Sequence, residues 1–396
     1  MTTLDTGPAA APRVSFYNDP VIRGIIYQVV VAALLVAFIV WIVGNTAANL
    51  ASQNKTTGFD FLWKTAGFDI SFSLLPWSRG SYYWEAFLVG ITNTLLVAFI
   101  GIIFATMLGF TIGIARLSSN FIVSRLATIY VETIRNIPLL LQLFFWYFAV
   151  LKAMPAVRES IALPFDSFIN QRGIMVPKPI PDEQFGFTWI GIALAIIAVV
   201  VLSRWAKKRL EATGQRFPVF LTSLAILIVV PTVIFVVSGA SVAFEIPVLE
   251  RFNFKGGLQL PPEFIALLFG LTIYTAAFIA ETVRGGIQAV SKGQTEAAQS
   301  LGLKEGDRLR LVIVPQAMRV IVPPLTSQYL NLTKNSSLGA AIGYPELVNV
   351  FAGTSLNQTG RAIECIAMVM LVYLTFSLLT SAIMNWYNAR VSLVER

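Results

Sequence analysis

The chain has 396 residues, 56% of them hydrophobic and 13% charged, against about 25% charged in an ordinary soluble domain, so the composition is that of a polytopic membrane protein. The formal net charge of +8 arises without any basic run interleaved with aromatics, so a nucleic-acid groove is not indicated; loops on the untranslocated side of a membrane account for the Lys and Arg better. Histidine is absent and there is one cysteine, Cys365, which excludes intrachain disulfides and His/Cys zinc sites, removes the commonest general base, and leaves Cys365 as a packed small hydrophobe.

In chain order, the first twenty residues read as disordered. Polar and mixed residues including Arg13 and Arg23 precede the first apolar run. That run therefore reads as a retained transmembrane helix and not as a signal peptide. Eight spans fit: about Gly24–Val43, Ala86–Ile114, Ala127–Leu151, Phe187–Trp205, Phe217–Val237, Glu263–Val283, Val320–Tyr344 and Ile363–Trp386. Loops 115–126, 204–216 and 284–319 carry Arg116, Arg125, Lys207, Lys208, Arg209, Arg308 and Arg310, whereas the opposite loops mix signs. Positive-inside counting then places both termini in the cytoplasm. Loops 44–85 and 152–186 are rich in Trp, Phe, Pro and Gly and read as folded caps with aromatic anchors.

Between the sixth and seventh spans lies a polar island, Lys292–Pro315, KGQTEAAQSLGLKEGDRLRLVIVP. Ser291–Leu301 predicts a short helix with Ala297 and Ala298 as strong formers, and Gly302 is placed to end it in the left-handed conformation. Lys304–Ile313 predicts a second helix closed by Pro315. Such a knob offers small alanines and Glu296 to a partner; the plainer reading is a solvated cytoplasmic loop.

Charges within spans are functional candidates because desolvating them is costly. Glu132 and Arg135, and again Glu281 and Arg284, stand at i, i+3 and can pair on one helix face; as ordinary interfacial ion pairs they would snorkel to water. Pro138 breaks the third span. Lys334 stands apart, beside Asn331, Asn335, Ser336 and Ser337, with no carboxylate within a helical turn. Pro323, Pro324 and Gly339 point to a broken helix there, which membranes tolerate where it lines a cavity or is buried in protein. Lys334 or its neighbours would face the α-carboxylate of an amino acid; alternatively Lys334 pairs with Glu132 or Glu281 across the bundle.

Glu296-Ala297-Ala298, Gly302, Val312, Val314 and Pro315 resemble the EAA loop of bacterial ABC-transporter permeases, with Val where that family has Ile and Leu. Gly90-Ile91-Thr92-Asn93-Thr94-Leu95, the run Tyr130–Leu140 (YVETIRNIPLL), the run Tyr274–Gly286 (YTAAFIAETVRGG) and Lys334-Asn335-Ser336-Ser337-Leu338 resemble successive core spans of the polar amino-acid permeases. The extra N-terminal span and the interruption at 152–259 are similar to the long permeases of general L-amino-acid and glutamate/glutamine/aspartate/asparagine importers. The resemblance implies an all-α membrane protein containing a type I importer five-helix core. It implies a cytoplasmic tail at 1–23, an extra helix and periplasmic loop at 24–85, core segments at 86–151 and 260–390 with the coupling loop at 288–318, an insertion at 152–259 with two more spans, and a tail at 391–396. It further implies a transport subunit of the bacterial inner membrane that is not itself an enzyme. Its partners would be a dimeric ATPase carrying ATP and Mg, a second related permease, a periplasmic amino-acid-binding protein and membrane lipid. No GxxxxGK[ST] phosphate loop occurs in the chain, so ATP hydrolysis would belong to that separate subunit. The rival readings are an ion-coupled secondary transporter using Lys334, Glu132 and Glu281 as a relay, and a membrane-bound enzyme, which the lack of histidine disfavours.

Overall fold

A computed structural model describes residues 20–52, 58–215 and 217–391; the N-terminal segment expected to be disordered and the final tail residues lie outside them. The molecule is mainly helical. Helix α1 (Pro20–Ser52) is exposed over residues 25–42. Helix α2 (Tyr83–Ala115) is followed by α3 (Phe121–Asn136) and α4 (Leu139–Phe144), and α4 widens into π-helical turns over Phe145–Leu151. Then come α5 (Gly186–Thr213), α6 (Val219–Val237) and α7 (Pro262–Gln288). Among the described residues seven helices are long and apolar enough to cross a membrane, and the α3–α4 pair makes an eighth span if counted as one, bent by 105°. The bend falls at Ile137–Pro138, where the missing donor and the restricted residue before proline stop the ladder.

The core is built on α2 and α7 together with α10 (Val314–Asn335). Helix α7 is buried over most of its length because small residues, Gly270, Ala276, Ala277, Ala280 and Gly286, let its neighbours approach. A Cβ on Gly286 would sit 2.3 Å from Ile321 of α10, so this crossing is closed to any larger residue. Helix α10 ends in a 3₁₀ segment, Ser336–Ile342; π-helical turns at Val348–Ser355 and α11 (Leu356–Thr359) lead to α12 (Ala362–Val391). Prolines 323 and 324 do not break this span: α10 runs through both, and the break comes at Ser336–Gly343, where Gly343 takes φ +81°. A second apolar cluster joins Phe61, Tyr83, Phe351 and Val369 and encloses Cys365.

Two features exceed the helical reading. The loop 58–82 folds against the end of α2, with Asp60 bonded to Arg361 at 2.8 Å and Trp77 donating to the Phe68 carbonyl. The segments flanking α5 and α6 form eight short strands. Strands β1 (Ile161–Leu163), β2 (Ser167–Asn170), β3 (Gly173–Val176) and β8 (Leu258–Leu260) make a four-stranded antiparallel sheet. Strand β4 (Lys178–Pro181) pairs with β5 (Val242–Glu245), and β6 (Val248–Glu250) with β7 (Asn253–Lys255). This β cap lies at the end of the bundle where α7 begins; the polar knob lies at the other end, where α7 finishes.

Candidate functional site

The knob begins with α8 (Lys292–Ser300), as the alanine-rich stretch dictates. Gly302 follows with φ +73°; the Gly302 amide donates to the Gln299 carbonyl and the Leu303 amide to the Ala298 carbonyl, which satisfies carbonyls left over at the helix end. Glu296 and Ala297 face solvent, but Ala298 is buried against its own chain. The expectation that both alanines present a contact surface is therefore corrected to Ala297 alone, because a nine-residue helix resting on the bundle must turn one face inward. Leu301, at the tip, is 81% exposed, an apolar anchor that sequence reasoning missed because it sits at no regular helical spacing.

The second knob helix, α9 (Glu305–Arg308), is shorter than expected. It passes through π-helical turns at Leu309–Ile313 straight into α10. Pro315 does not close it. The proline sits directly after the π-helical turns, whose wider ring accommodates its missing N–H and lets the chain stay helical into α10. The knob is thus continuous with the helix that carries Lys334.

At the knob end a charge cluster ties three helices. Arg116, at the C-terminal cap of α2 and only 8% exposed, bonds Glu281 of α7 and lies 3.4 Å from Glu132 of α3. Glu281 also takes Arg284 at 2.5 Å. The expected i, i+3 pair at Glu281 and Arg284 forms, but the one at Glu132 and Arg135 does not. Arg135 stacks over the Phe278 ring at 5.2 Å and approaches Glu281 at 3.9 Å, so the ring and the better-buried carboxylate draw it across to α7. Glu132, 57% exposed, is left to Arg116, the node that the i, i+3 pattern could not reveal.

Lys334 is exposed near the end of α10 and makes no ion pair among the described residues, so the pairing with Glu132 or Glu281 does not occur. Asn331, one turn before it, is exposed on the same side, Asn335 is half-buried, and Ser337 is occupied in bonding the Lys334 carbonyl. Ser336 is fully buried and donates to the Thr333 carbonyl. It faces inward and is corrected out of the candidate path, since two residues after Lys334 it lies on the opposite side of the helix from Asn331 and Lys334.

The bend after Ser336 is held by Glu346, which no motif marked, and by Asn93 and Thr94 of the Gly90–Leu95 run. Glu346 is completely buried and accepts from the Val348 and Asn349 amides at 2.7 Å each and from the Tyr373 hydroxyl at 3.1 Å. Asn93 donates to the Pro345 carbonyl and Thr94 accepts from the Leu347 amide. These bonds fasten the re-entrant chain to α2 and α12. A cavity of about 530 Å³ between α2 and α7 is lined by Phe104, Met107, Phe269 and similar groups and is apolar; it suits lipid.

Comparison with known proteins places these features in context. Residues 189–393 match the family described as binding-protein-dependent transport system inner membrane component. The chain is 51% identical, over 99% of both sequences, to the general L-amino acid transport system permease protein AapQ of Rhizobium johnstonii. It is 48% identical to the putative amino-acid ABC transporter permease protein YhdX of Escherichia coli, covering 96% of this chain and 97% of that one. It is 44% identical, over the whole of both, to the glutamate/glutamine/aspartate/asparagine transport system permease protein BztB of Rhodobacter capsulatus.

Proposed function

The chain belongs to the binding-protein-dependent transport system inner membrane components, and from that premise we propose that it is the membrane conduit of an ATP-driven importer of L-amino acids, polar or broad in range. The observation that carries the reading is mechanical. An exposed knob with an acidic residue, Glu296, and an apolar tip, Leu301, runs without interruption into α10, whose far end bears Asn331 and Lys334 on an exposed face.

In this reading the knob end is cytoplasmic and both termini lie on that side, as the charge of the loops requires. The chain divides into a core at 86–151 and 260–390 and an insertion between them. A separate dimeric ATPase, holding ATP and Mg, receives Leu301 and Ala297 in a cleft. Closure of its dimer displaces α8, the displacement is passed through Leu309–Ile313 to α10, and the bundle shifts between two access states by differential binding of the nucleotide. A second, related permease completes the path beside Lys334, Lys334 faces the substrate α-carboxylate, and a periplasmic binding protein delivers the amino acid to the β-cap end. The similarity to permeases named for amino acids supports the substrate class.

Affinity purification of the tagged chain from native membranes, followed by uptake of labelled amino acid in reconstituted vesicles, tests the proposal. Recovery of an ATP-binding subunit and uptake that needs ATP yet persists with an uncoupler is the expected result. Transport by the chain alone, abolished by the uncoupler, would sink it in favour of an ion-coupled carrier.

A further inference from the structure

At the β-cap end, a cavity of about 230 Å³ lies where the insertion meets the start of α7, lined by Ser71, Lys152, Arg172, Gln259 and Glu263 together with Pro261 and Pro262. It adjoins a second cavity of about 220 Å³ that shares Arg172 and Gln259 with it. Ligand pockets for larger molecules run to about 300–1,000 Å³, so the space suits only a small polar solute. Four separate segments converge here: the loop before α2, the end of the α4 span, the β2–β3 turn, and β8 leading into α7.

The charges are arranged with opposite signs on a small perimeter. Lys152 rests over the Tyr147 ring at 5.0 Å and stands 3.7 Å from Glu263 Oε1. The same oxygen accepts from the Tyr147 hydroxyl at 2.7 Å. Glu263 Oε2 has no bond among the described residues. Arg172 gives one Nη to Asn253, and its backbone carbonyl holds the Gln259 amide at 2.9 Å, which leaves the guanidinium's other donors and Gln259 Oε1 without partners among the described residues. The cavity therefore offers unspent cationic donors on one side and an unspent carboxylate oxygen on another.

We propose that this cavity is an entry site for a zwitterionic amino acid, with its α-carboxylate held by Arg172 and Lys152 and its α-ammonium by Glu263. The inference rests on the importer reading above and extends it to a second site, distinct from the face of Asn331 and Lys334. An arginine fork matches a carboxylate in shape, and the two cations exceed the single carboxylate of the site, so a bound carboxylate relieves their repulsion. The site opens to water, which weakens each pair. That weakness suits a station from which the solute must leave again. The site also gives the insertion a role: β3 and β8 pair across it and bring Arg172 and Gln259 to the first turn of α7.

The test uses the complete transporter in nanodiscs with no binding protein present, and labelled L-glutamate and L-glutamine as probes. Arg172→Gln and Glu263→Gln should each weaken binding about tenfold or more, and Arg172→Lys should restore most of it. The deaminated analogue 2-hydroxyglutarate, which lacks the ammonium, should bind Glu263→Gln and unsubstituted protein alike. Undetectable binding by the unsubstituted complex, or binding unchanged in both variants, overturns the site. So does a loss of affinity for the binding protein, loaded and empty alike, with free amino-acid binding intact, since that marks a protein contact. ATP-driven uptake by the unsubstituted complex is read in parallel. If it persists while the variants bind normally, the importer reading stands and the entry site falls; if neither probe is taken up, the substrate reading falls and the entry site with it.

Discussion

Arg116 holds the knob end together on an asymmetric pair of contacts. Arg116 itself is buried and its partner Glu281 half-buried, whereas Glu132 is largely in water. Charged hydrogen bonds out of water contribute about 1.5–3 kcal/mol, while exposed ion pairs contribute about 0–1 kcal/mol. Arg116→Ala should therefore lower the stability of the detergent-purified protein by about 2 kcal/mol, and Glu132→Ala by less than about 1 kcal/mol, measured by denaturant titration with tryptophan fluorescence. Arg116→Ala removes both contacts and Glu132→Ala only the one to α3, so equal losses would show that the α7 contact adds nothing. Two glycines make a second comparison at this scale. At Gly302 an added Cβ meets nothing, so alanine pays only for the left-handed backbone, about 1–2 kcal/mol, confined to the knob. At Gly286 the same atom collides with Ile321, and over-packing a closed crossing costs about 1–3 kcal/mol or more across the bundle. Gly286→Ala should lower the melting temperature of the whole protein; Gly302→Ala should leave it unchanged and speed amide exchange only in α8.

At the scale of elements, the knob and α10 act as one lever only if the joint between them is stiff. Pro315 belongs to the start of α10, so Pro315→Ala should leave ATP-driven uptake near the unsubstituted rate. Leu301→Asp, which removes the exposed apolar anchor, should cut it about tenfold or more. If Pro315→Ala uncouples transport and Leu301→Asp does not, the lever is wrongly drawn. The cap loop gives a pH test. The Asp60 carboxyl is held below the ordinary carboxylate value by its bond to Lys64 and by the charge of Arg361. A depressed carboxylate stabilises the fold above its unfolded pKa, and that contribution is lost as pH falls through the value in the folded protein. Asp69, in the same loop, is likewise held low by its bond to Arg79, so the loop should loosen below about pH 4, read by Trp63 and Trp77 emission, and Asp60→Asn should reduce that transition while Asp60→Asn with Asp69→Asn removes it. Sequence periodicity made the long spans legible, and Gly302 and Pro138 marked a cap and a break by their chemistry alone. The β cap was not legible. Its strands are three or four residues long, too short for alternation to betray them, and β3 meets β8 only across the whole α5–α6 hairpin. The partners of Arg135 were hidden because they lie on a neighbouring helix and do not follow from spacing along its own, whereas the inward side of Ser336 follows from its spacing to Lys334.

Taken whole, the molecule is a bundle on α2, α7 and α10 with a hairpin, α5 and α6, whose two helices pack chiefly on each other and are otherwise apolar and exposed. The hairpin leaves and re-enters the cap at one place. Pro181 of β4 pairs with Val242 of β5, and Asp182 Oδ2 accepts from the Ser241 amide at 2.7 Å. The strands at its base are therefore already an antiparallel pair lacking only a tight turn. Replacing residues 182–241 with Asn-Gly supplies a turn of the type such pairs favour, and removing two spans together leaves the orientation of every later span unchanged. The shortened chain should insert with the knob on its original side, read by labelling of a cysteine placed at Glu296, and should retain ATP-driven uptake while Arg172 and Gln259 stay paired through β3 and β8. Retention would mean that the hairpin sits in lipid as an appendage and that the cap is the part of the insertion on which transport depends. A correctly inserted but inactive protein would mean that the exposed faces of α5 and α6 are covered in the working complex by another subunit.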